Sequence, residues 1–366
     1  MSKELNLNKA FNRTFGVEIE MCGITREQAA RICASVMGEG SRVEYTGQPT
    51  YRGGDGYSCW SCFDPSGRKW KFVSDCSIRA DHDHQCELNT PPLTYAKDME
   101  DLQALVRALR RAGAKTGAEY DCGIHIHVDG HELDFKAIKN LVNMFYSRDE
   151  LLRKSLGVDP SRSSRWCKPI GDDLVNAFKP CRNIEQLEDA WYSLYARYQN
   201  RSDHYNDSRY HILNLHRYFS TRGKACNTVE VRAFNASLHA GVVRSYVLLI
   251  LTMVEAALEL SRIYAKKNFI MQAGNEKFAM RTWLVDMGWT GDMFDAPKKH
   301  LVKHLTGCAA WRFGENFDQY LVFETVADAE KMKEKNSRNH PNVASYEIHE
   351  GRDGRVYMTE PVPFCG

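Results

Sequence analysis

His125 and His127 alternate with Ile124, Ile126 and Val128. On a β-strand, positions i and i+2 share a face, so both imidazoles point one way and the three aliphatic side chains the other. The same arrangement recurs at 14–21, where Glu18 and Glu20 oppose Phe15, Val17, Ile19 and Met21. It recurs again at 227–235, where Glu230 and Arg232 oppose Val229, Val231 and Ala233. Asp75 and Glu87 stand beside the ends of two further expected strands, at 70–73 and 85–90. Carboxylates crowded on one face repel, and a cation between them relieves the repulsion. Each segment alone reads equally well as a strand with a solvated polar face, and Glu230 and Arg232 could simply pair with each other. The recurrence gives the set its weight.

Five carboxylates and two imidazoles, with no obligatory thiolate, suit Mg²⁺ or Mn²⁺ better than a structural zinc. Acids placed for two or more such ions point to phosphate chemistry, because clustered divalent cations clamp the phosphates of a nucleotide during in-line transfer. The chain has neither a Gly-x-x-x-x-Gly-Lys loop nor a Gly-x-Gly-x-x-Gly after a strand, so P-loop and Rossmann binding are not implied. Cys59-x-x-Cys62 lacks a second pair at zinc-ribbon spacing and reads as two ordinary loop thiols. Residues 81–84, Asp-His-Asp-His, read as a polar turn, because four consecutive residues do not converge on one ion.

The elements that must position these groups follow from periodicity and caps. Thr25 and Gln28 form a capping box before a helix that stops at Gly38. A second helix at 97–113 carries the stripe Leu102, Leu105, Val106 and Leu109, and a third is capped by Asp134. Residues 38–69 read as a long loop or ragged hairpin. Residues 155–182 read as loop, with Arg162, Arg165 and Lys168 in a solvated basic stretch that hints at an acidic acceptor. A helix at 185–199 is expected to bury the stripe Trp191, Leu194 and Tyr198. Residues 210–215 read as a strand, 240–265 as the central buried helix, and 346–357 as a hairpin around Gly351. Without repeats or low-complexity linkers, the chain reads as a catalytic domain over 1–267 and a mostly helical extension over 268–366, packed on the same domain.

Composition bounds the function. The 366 residues carry 49 Lys and Arg against 47 Asp and Glu, a net charge of +2. That balance argues against bulk nucleic-acid binding. Residues 1–12 are polar, without the apolar core of a secretion signal. The longest apolar run, 246–254, falls far short of the roughly 20 residues of a membrane span. Twelve cysteines in that setting suggest a cytoplasmic, reducing location with mostly free thiols.

Taken in order, Phe-Gly-Val-Glu-Ile-Glu, Val-Ser-Asp-Cys-Ser-Ile, Glu-Leu-Asn-Thr-Pro, Cys-Gly-Ile-His-Ile-His-Val and Thr-Val-Glu-Val-Arg-Ala-Phe-Asn resemble the motifs of the amidoligases of the glutamine synthetase and glutamate–cysteine ligase superfamily. More narrowly, the chain resembles the group called putative amidoligases, over roughly residues 14–265. The resemblance implies an α+β fold: a curved, largely antiparallel sheet whose concave face holds metals and ATP, with helices packed on its convex side. It implies that Glu18, Glu20, Glu87, His125 and Glu230 ligate metal. His127 would contact phosphate, Arg232 would neutralise the transferring phosphoryl group, and Asp75 would occupy the acidic position of an Asp-Gly-Ser-Ile motif whose Gly is here Cys76. Arg209, Arg217 and Asn214 are further candidates for holding ATP or substrate.

The implied reaction joins a small-molecule or peptide carboxylate to an amine through an acyl phosphate, with ATP and Mg²⁺ or Mn²⁺. No residue among the motifs identifies itself as the base for the amine, and neither the two substrates nor the oligomeric state can be read from them. Three alternatives remain open at this level: an ATP-dependent phosphotransferase of the same fold, a non-catalytic nucleotide- and metal-binding member, and a hydrolase with His125 and His127 on zinc.

Overall fold

The computed structural model describes residues 5, 7–47, 59–203, 205–266, 275–309, 321–338, 341–350 and 356–359. The chain divides into two compact units, one of residues 1–268 with 283–304 and one of residues 269–282 with 305–366.

In the first unit, nine strands among the described residues form one open sheet. They are β1 (Thr14–Met21), β2 (Arg42–Tyr45), β3 (Cys59–Phe63), β4 (Lys69–Val73), β5 (Cys86–Asn89), β6 (Leu93–Thr94), β7 (Gly123–Asp129), β8 (Leu213–Asn214) and β9 (Thr228–Asn235). Their order is β2-β3-β4-β5-β1-β7-β9-β8, with β6 paired to β1, and each of these pairings is antiparallel. The resulting fold is mixed helix and antiparallel sheet, in line with the α+β expectation.

Register decides the chemistry of the two faces. Glu18 stands opposite His125 on one side and Asn89 on the other, and Glu20 stands opposite Glu87. His127 stands opposite Gly16 and Glu230, and Glu230 also faces Asn214. Residues directly opposite in an antiparallel ladder share a face, so the acids, imidazoles and amides of five strands gather on one side. The other side is Phe15, Val17, Ile19, Met21, Leu88, Ile124, Ile126, Val128, Val229 and Val231, all buried. Between β7 and β9 the register shifts, so that Arg232 and Ala233 together stand opposite His125. A bulge of this kind re-aims a side chain, here Arg232.

The helices of this unit are α1 (Leu7–Asn12), α2 (Arg26–Met37), α3 (Tyr95–Arg111), α4 (Phe135–Ser147), α5 (Asp149–Leu156), α6 (Pro160–Arg165), α7 (Asp172–Phe178), α8 (Ile184–Tyr195), α9 (His216–Ser220) and α10 (Ala240–Glu259). In α2 both arms of the Thr25–Gln28 capping box are present, and Asp134 caps α4 by accepting from Ala137 N. α2 packs on β3 and β4; α10 packs on β7 and on α1, α3 and α4.

Several expectations change. Residues 38–69 hold a true antiparallel hairpin of β2 and β3; its tip, 48–58, lies outside the described residues. Residues 155–182 are not a loop but carry the end of α5 together with α6 and α7. The overlooked signal is Asp159-Pro160, a side-chain N-cap followed by proline in the first turn, where its missing N–H costs nothing. In α8, Trp191 is buried, but Leu194 is 41% and Tyr198 92% exposed, because the helix ends at Tyr195 and takes Tyr198 out of the stripe. Residues 210–215 shrink to the two-residue β8.

α10 is 20 residues long and, by length and composition, apolar enough to cross a membrane, although its uninterrupted apolar run is shorter. Of its most apolar window, 78% is buried within the protein, so it serves as the core helix. Its one fully buried charge, Glu255, takes two hydrogen bonds from Arg13, at 2.9 Å from Nη2 and 3.3 Å from Nε, which ties α10 to the residue before β1.

In the second unit, β10 (Leu321–Phe323), β11 (Glu347–Glu350) and β12 (Val356–Thr359) pair antiparallel in the order β10-β12-β11. The expected hairpin is present as β11 and β12; residue 351 lies outside the described residues. α13 (Val326–Ser337) packs on its strands, whereas α12 (Asp295–Val302) belongs to the first unit and α11 (Glu276–Asp286) begins in the second unit and ends in the first.

Breaking a buried ion pair at one partner leaves the other charge stranded. Arg13 keeps a second, largely exposed partner in Glu132, at 2.9 Å from Nη2, so Glu255→Leu should destabilise the protein by at most about 3 kcal/mol, and Arg13→Met/Glu255→Leu should recover much of that loss. Chemical denaturation of the three variants checks this; a double variant no more stable than Glu255→Leu would refute the pairing.

Candidate active site

On the polar face, two groups of side chains converge. Glu18, His127 and Glu230 form one, and Glu20, Asp75 and Glu87 the other; within each, the donor atoms lie within 4.8 Å of one another. These are six of the eleven site residues expected from sequence. His125 joins neither group but sits among them. Its Nδ1 is 2.8 Å from Glu18 Oε2 and 3.8 Å from Glu230 Oε1, and its Nε2 is 3.8 Å from Glu20 Oε1. His127 Nε2 approaches Glu18 Oε1 at 3.0 Å as an ion pair, without hydrogen-bonding alignment. Asp75 reaches its group from a turn in which its carboxylate accepts from Ser77 N at 2.7 Å. Cys76, in the usual glycine place of that turn, needs no left-handed backbone.

Each acid has a dedicated neighbour. Arg232 Nη1 donates to Glu230 Oε1 at 2.5 Å, and its Nε to the Trp166 carbonyl at 3.3 Å. The Asn214 amide donates to Glu230 Oε2 at 2.7 Å, the Asn89 amide to Glu87 Oε1 at 2.6 Å, and Gly123 N–H to Glu20 Oε2 at 2.5 Å. Asn214 thus acts on a carboxylate. Asn89, to which the sequence attached no role, has the same duty. Arg217 stands half-buried on α9, with Nε lacking a protein partner, and its charge is felt at His127. Arg209 lies off the sheet, its guanidinium over the rings of Tyr205 and Tyr210. Cys59 and Cys62 are free buried thiols on β3. Residues 82–84 form an isolated turn of 3-10 helix.

Sequence reasoning missed Arg162. It is not part of a solvated stretch but 2% exposed, with its guanidinium against Gly123. No local pattern marks it, because the contact joins α6 to the start of β7.

Burial and crowding split the proton affinities. Burial, then the charges of Glu18, Glu20 and Asp75, push the Glu87 carboxyl well above the usual range. Burial raises Glu20 to about 7, against the pull of Arg162 and with the push of Asp75. Burial also opposes the charge on Glu18 and Glu230, but nearby cations win. His127 and the hydrogen bond from His125 hold Glu18 well below the usual range, and Arg232 with His127 hold Glu230 at about 2. Burial and Arg232 depress His125 to about 4, so it is neutral near pH 7. His127, buried but beside Glu18 and Glu230, is raised.

The donor set fits hard divalent cations. It is five carboxylates and imidazole with no thiolate; its negative charge is offset by Arg232 and His127 around Glu18 and Glu230, and by tighter proton binding at Glu20 and Glu87. Glu18, His127 and Glu230 would hold one ion, and Glu20, Asp75 and Glu87 another.

Glu20 supplies a test. Raised from 4.5 to about 7, it keeps a proton in the folded protein that the unfolded chain releases near 4.5. Its contribution is fully present below 4.5 and is lost as pH rises through 7. Glu87 acts in the same direction, while His125, depressed, acts oppositely below 6.5. Comparison with Glu20→Gln, a permanent neutral mimic, isolates the Glu20 part. In chelator, the variant should gain on the parent by up to about 3 kcal/mol between pH 4.5 and 7. Saturating Mg²⁺ should reverse the gap. Thermal denaturation against pH reads both effects; a pH-independent gap in chelator would rule out a protonated Glu20.

Residues 11–254, the stretch that carries the whole nine-stranded sheet, match the family described as "Putative amidoligase enzyme". No curated protein matches the chain. The match spans well over half of the 366 residues, and the chain belongs to this putative amidoligase family.

Proposed function

We propose that the protein is an ATP-dependent carboxylate–amine ligase of the glutamine synthetase-like superfamily, acting in the cytoplasm through an acyl phosphate with two or more divalent ions. One observation carries the reading: five carboxylates and two imidazoles, from β1, β5, β7, β9 and the turn after β4, converge on one face of the sheet beside a guanidinium. A site that concentrates so much negative charge suits bound cations and, through them, the phosphates of a nucleotide. On this reading the sheet is the curved one of that superfamily, with the site on its concave side.

Mg²⁺ or Mn²⁺, when bound, would neutralise charge on the phosphoryl oxygens. The chain's own residues do the rest. Arg232, locked to Glu230 and the Trp166 carbonyl, presents its remaining donors to the phosphoryl group as charge develops there. His127, whose hold on its proton Glu18 and Glu230 strengthen in the metal-free site, could become a ligand once the carboxylates are neutralised. His125, neutral and hydrogen-bonded to Glu18, orients that carboxylate. The sequence resemblance puts His125 on an ion and His127 on phosphate; the geometry favours His127 as the ligand. The acid's carboxylate attacks the γ-phosphate, releasing ADP, and the amine then displaces phosphate to form the amide.

Amine-stimulated ADP release, with mass spectrometry of the product, tests the reading in a screen of amino acids, polyamines and peptides. ADP release that leaves a phosphorylated acid whatever amine is supplied would instead identify a phosphotransferase. Glu18→Gln should lower turnover at least about a hundredfold with the fold intact by circular dichroism; unchanged turnover would end the metal-site reading. For the imidazoles, His127→Ala should steepen the Mg²⁺ dependence of the rate more than His125→Ala. The reverse order in parallel Mg²⁺ titrations would return the ligand role to His125.

A further inference from the structure

Arg162 stands on the wall of the acid cluster with its donors largely unspent. A Cβ on Gly123 would fall 2.1 Å from its Nη2 and 2.4 Å from its Cζ. Gly123 has no left-handed φ, so glycine is required there for space. The N–H of the same residue donates to Glu20 Oε2, which sets the guanidinium beside the Glu20, Asp75 and Glu87 group. A guanidinium carries five N–H donors. Among the described residues the Arg162 guanidinium makes a single hydrogen bond, a 3.5 Å contact from Nη2 to the Arg232 carbonyl, and its Nε is buried without a partner there. Among the described residues no carboxylate forms an ion pair with it. Arg232, by contrast, has Nη1 and Nε already committed.

A buried guanidinium short of acceptors is costly. A planar fork with free donors matches an oxyanion that it can hold through two parallel bonds. We propose that Arg162 is the anion receptor of this site, binding a substrate oxyanion that is either a phosphoryl or a carboxylate group. The inference rests on the ligase reading for the identity of the anion, though not for the receptor itself.

Two variants keep the positive charge and remove the fork. Arg162→Lys replaces it with a point charge, and Gly123→Ala forces it out of place. The Mg²⁺-loaded protein and both variants are titrated calorimetrically with inorganic phosphate and, separately, with acetate. The parent should bind at least one probe. Both variants should bind that probe at least tenfold more weakly, and Arg162→Lys, which leaves the Gly123 N–H on Glu20 undisturbed, should keep its Mg²⁺ affinity within about twofold of the parent. Loss for phosphate alone identifies a phosphoryl receptor; loss for acetate as well identifies a general oxyanion receptor. The proposal is overturned if the parent binds neither probe, or if Arg162→Lys binds like the parent, which would leave Arg162 as mere charge balance for Glu20. Amine-dependent ADP release separates this from the ligase reading. Its absence alongside Arg162-dependent anion binding removes only that reading, and its presence with unaltered anion binding in the variants removes only this proposal.

Discussion

Mutual repulsion among buried carboxylates is the constraint that organises this molecule. Glu18, Glu20, Asp75, Glu87 and Glu230 are brought together by antiparallel register, and register is all-or-none: a slip of one residue in β1 would put Phe15, Val17 and Ile19 on the polar face. The repulsion is therefore sustained by the apolar face opposite, where the same slip would place Glu18 and Glu20 among Leu88, Ile124 and Val231. The core and the site are two readings of one register. α10 backs this arrangement, and its single buried acid is answered by Arg13 just before β1, so the helix behind the sheet is tied to the strand with most to lose from slipping.

The cluster handles its excess charge in two different ways. Around Glu18 and Glu230, positive groups are close: Arg232 and His127 keep both acids ionised although burial opposes it. Around Glu20 and Glu87 the nearest cation, Arg162, makes no ion pair, and both acids hold protons more tightly than usual. The first group is neutralised by the protein, and the second by solvent protons. A cation entering the second group would compete with protons on Glu20 and Glu87, and one entering the first would compete with the proton that His127 binds more tightly than usual. The two groups thus differ in what controls their filling, though their donors come from adjacent strands.

Much of this was legible in the sequence because alternation is a local signal. Glu18 with Glu20, His125 with His127, and Glu230 with Arg232 declare their faces within seven or eight residues, and the caps at Thr25 and Asp134 declare theirs within four. What was not legible depends on contacts between segments. Arg162 looked solvated because its neighbours Arg165 and Lys168 are exposed, and its burial depends on space left by a glycine 39 positions earlier. Asn89 looked incidental because its partner, Glu87, had to be crowded by Glu18 and Glu20 before an orienting amide mattered. Which imidazole completes a donor group was set by Glu230, a residue a hundred positions away that register places opposite His127 and not His125.

The choice of orienting groups carries a further consequence. Glu87 is held by the Asn89 amide, Glu20 by a backbone N–H, and one oxygen of Glu230 by the Asn214 amide. All three donors are neutral. A lysine or arginine in their places would hold the carboxylates as firmly but would also cancel the charge that attracts a divalent ion, and it would remain after the ion arrived, repelling it. Neutral donors fix direction without spending charge. Arginines are used only where they can serve twice. Arg232 holds Glu230 with one nitrogen and keeps others free, and Arg162 stands behind the glycine N–H that orients Glu20. Aiming the carboxylates thus falls mainly to neutral amides, with Arg232 as the exception at Glu230, while both guanidinium groups keep donors to spare.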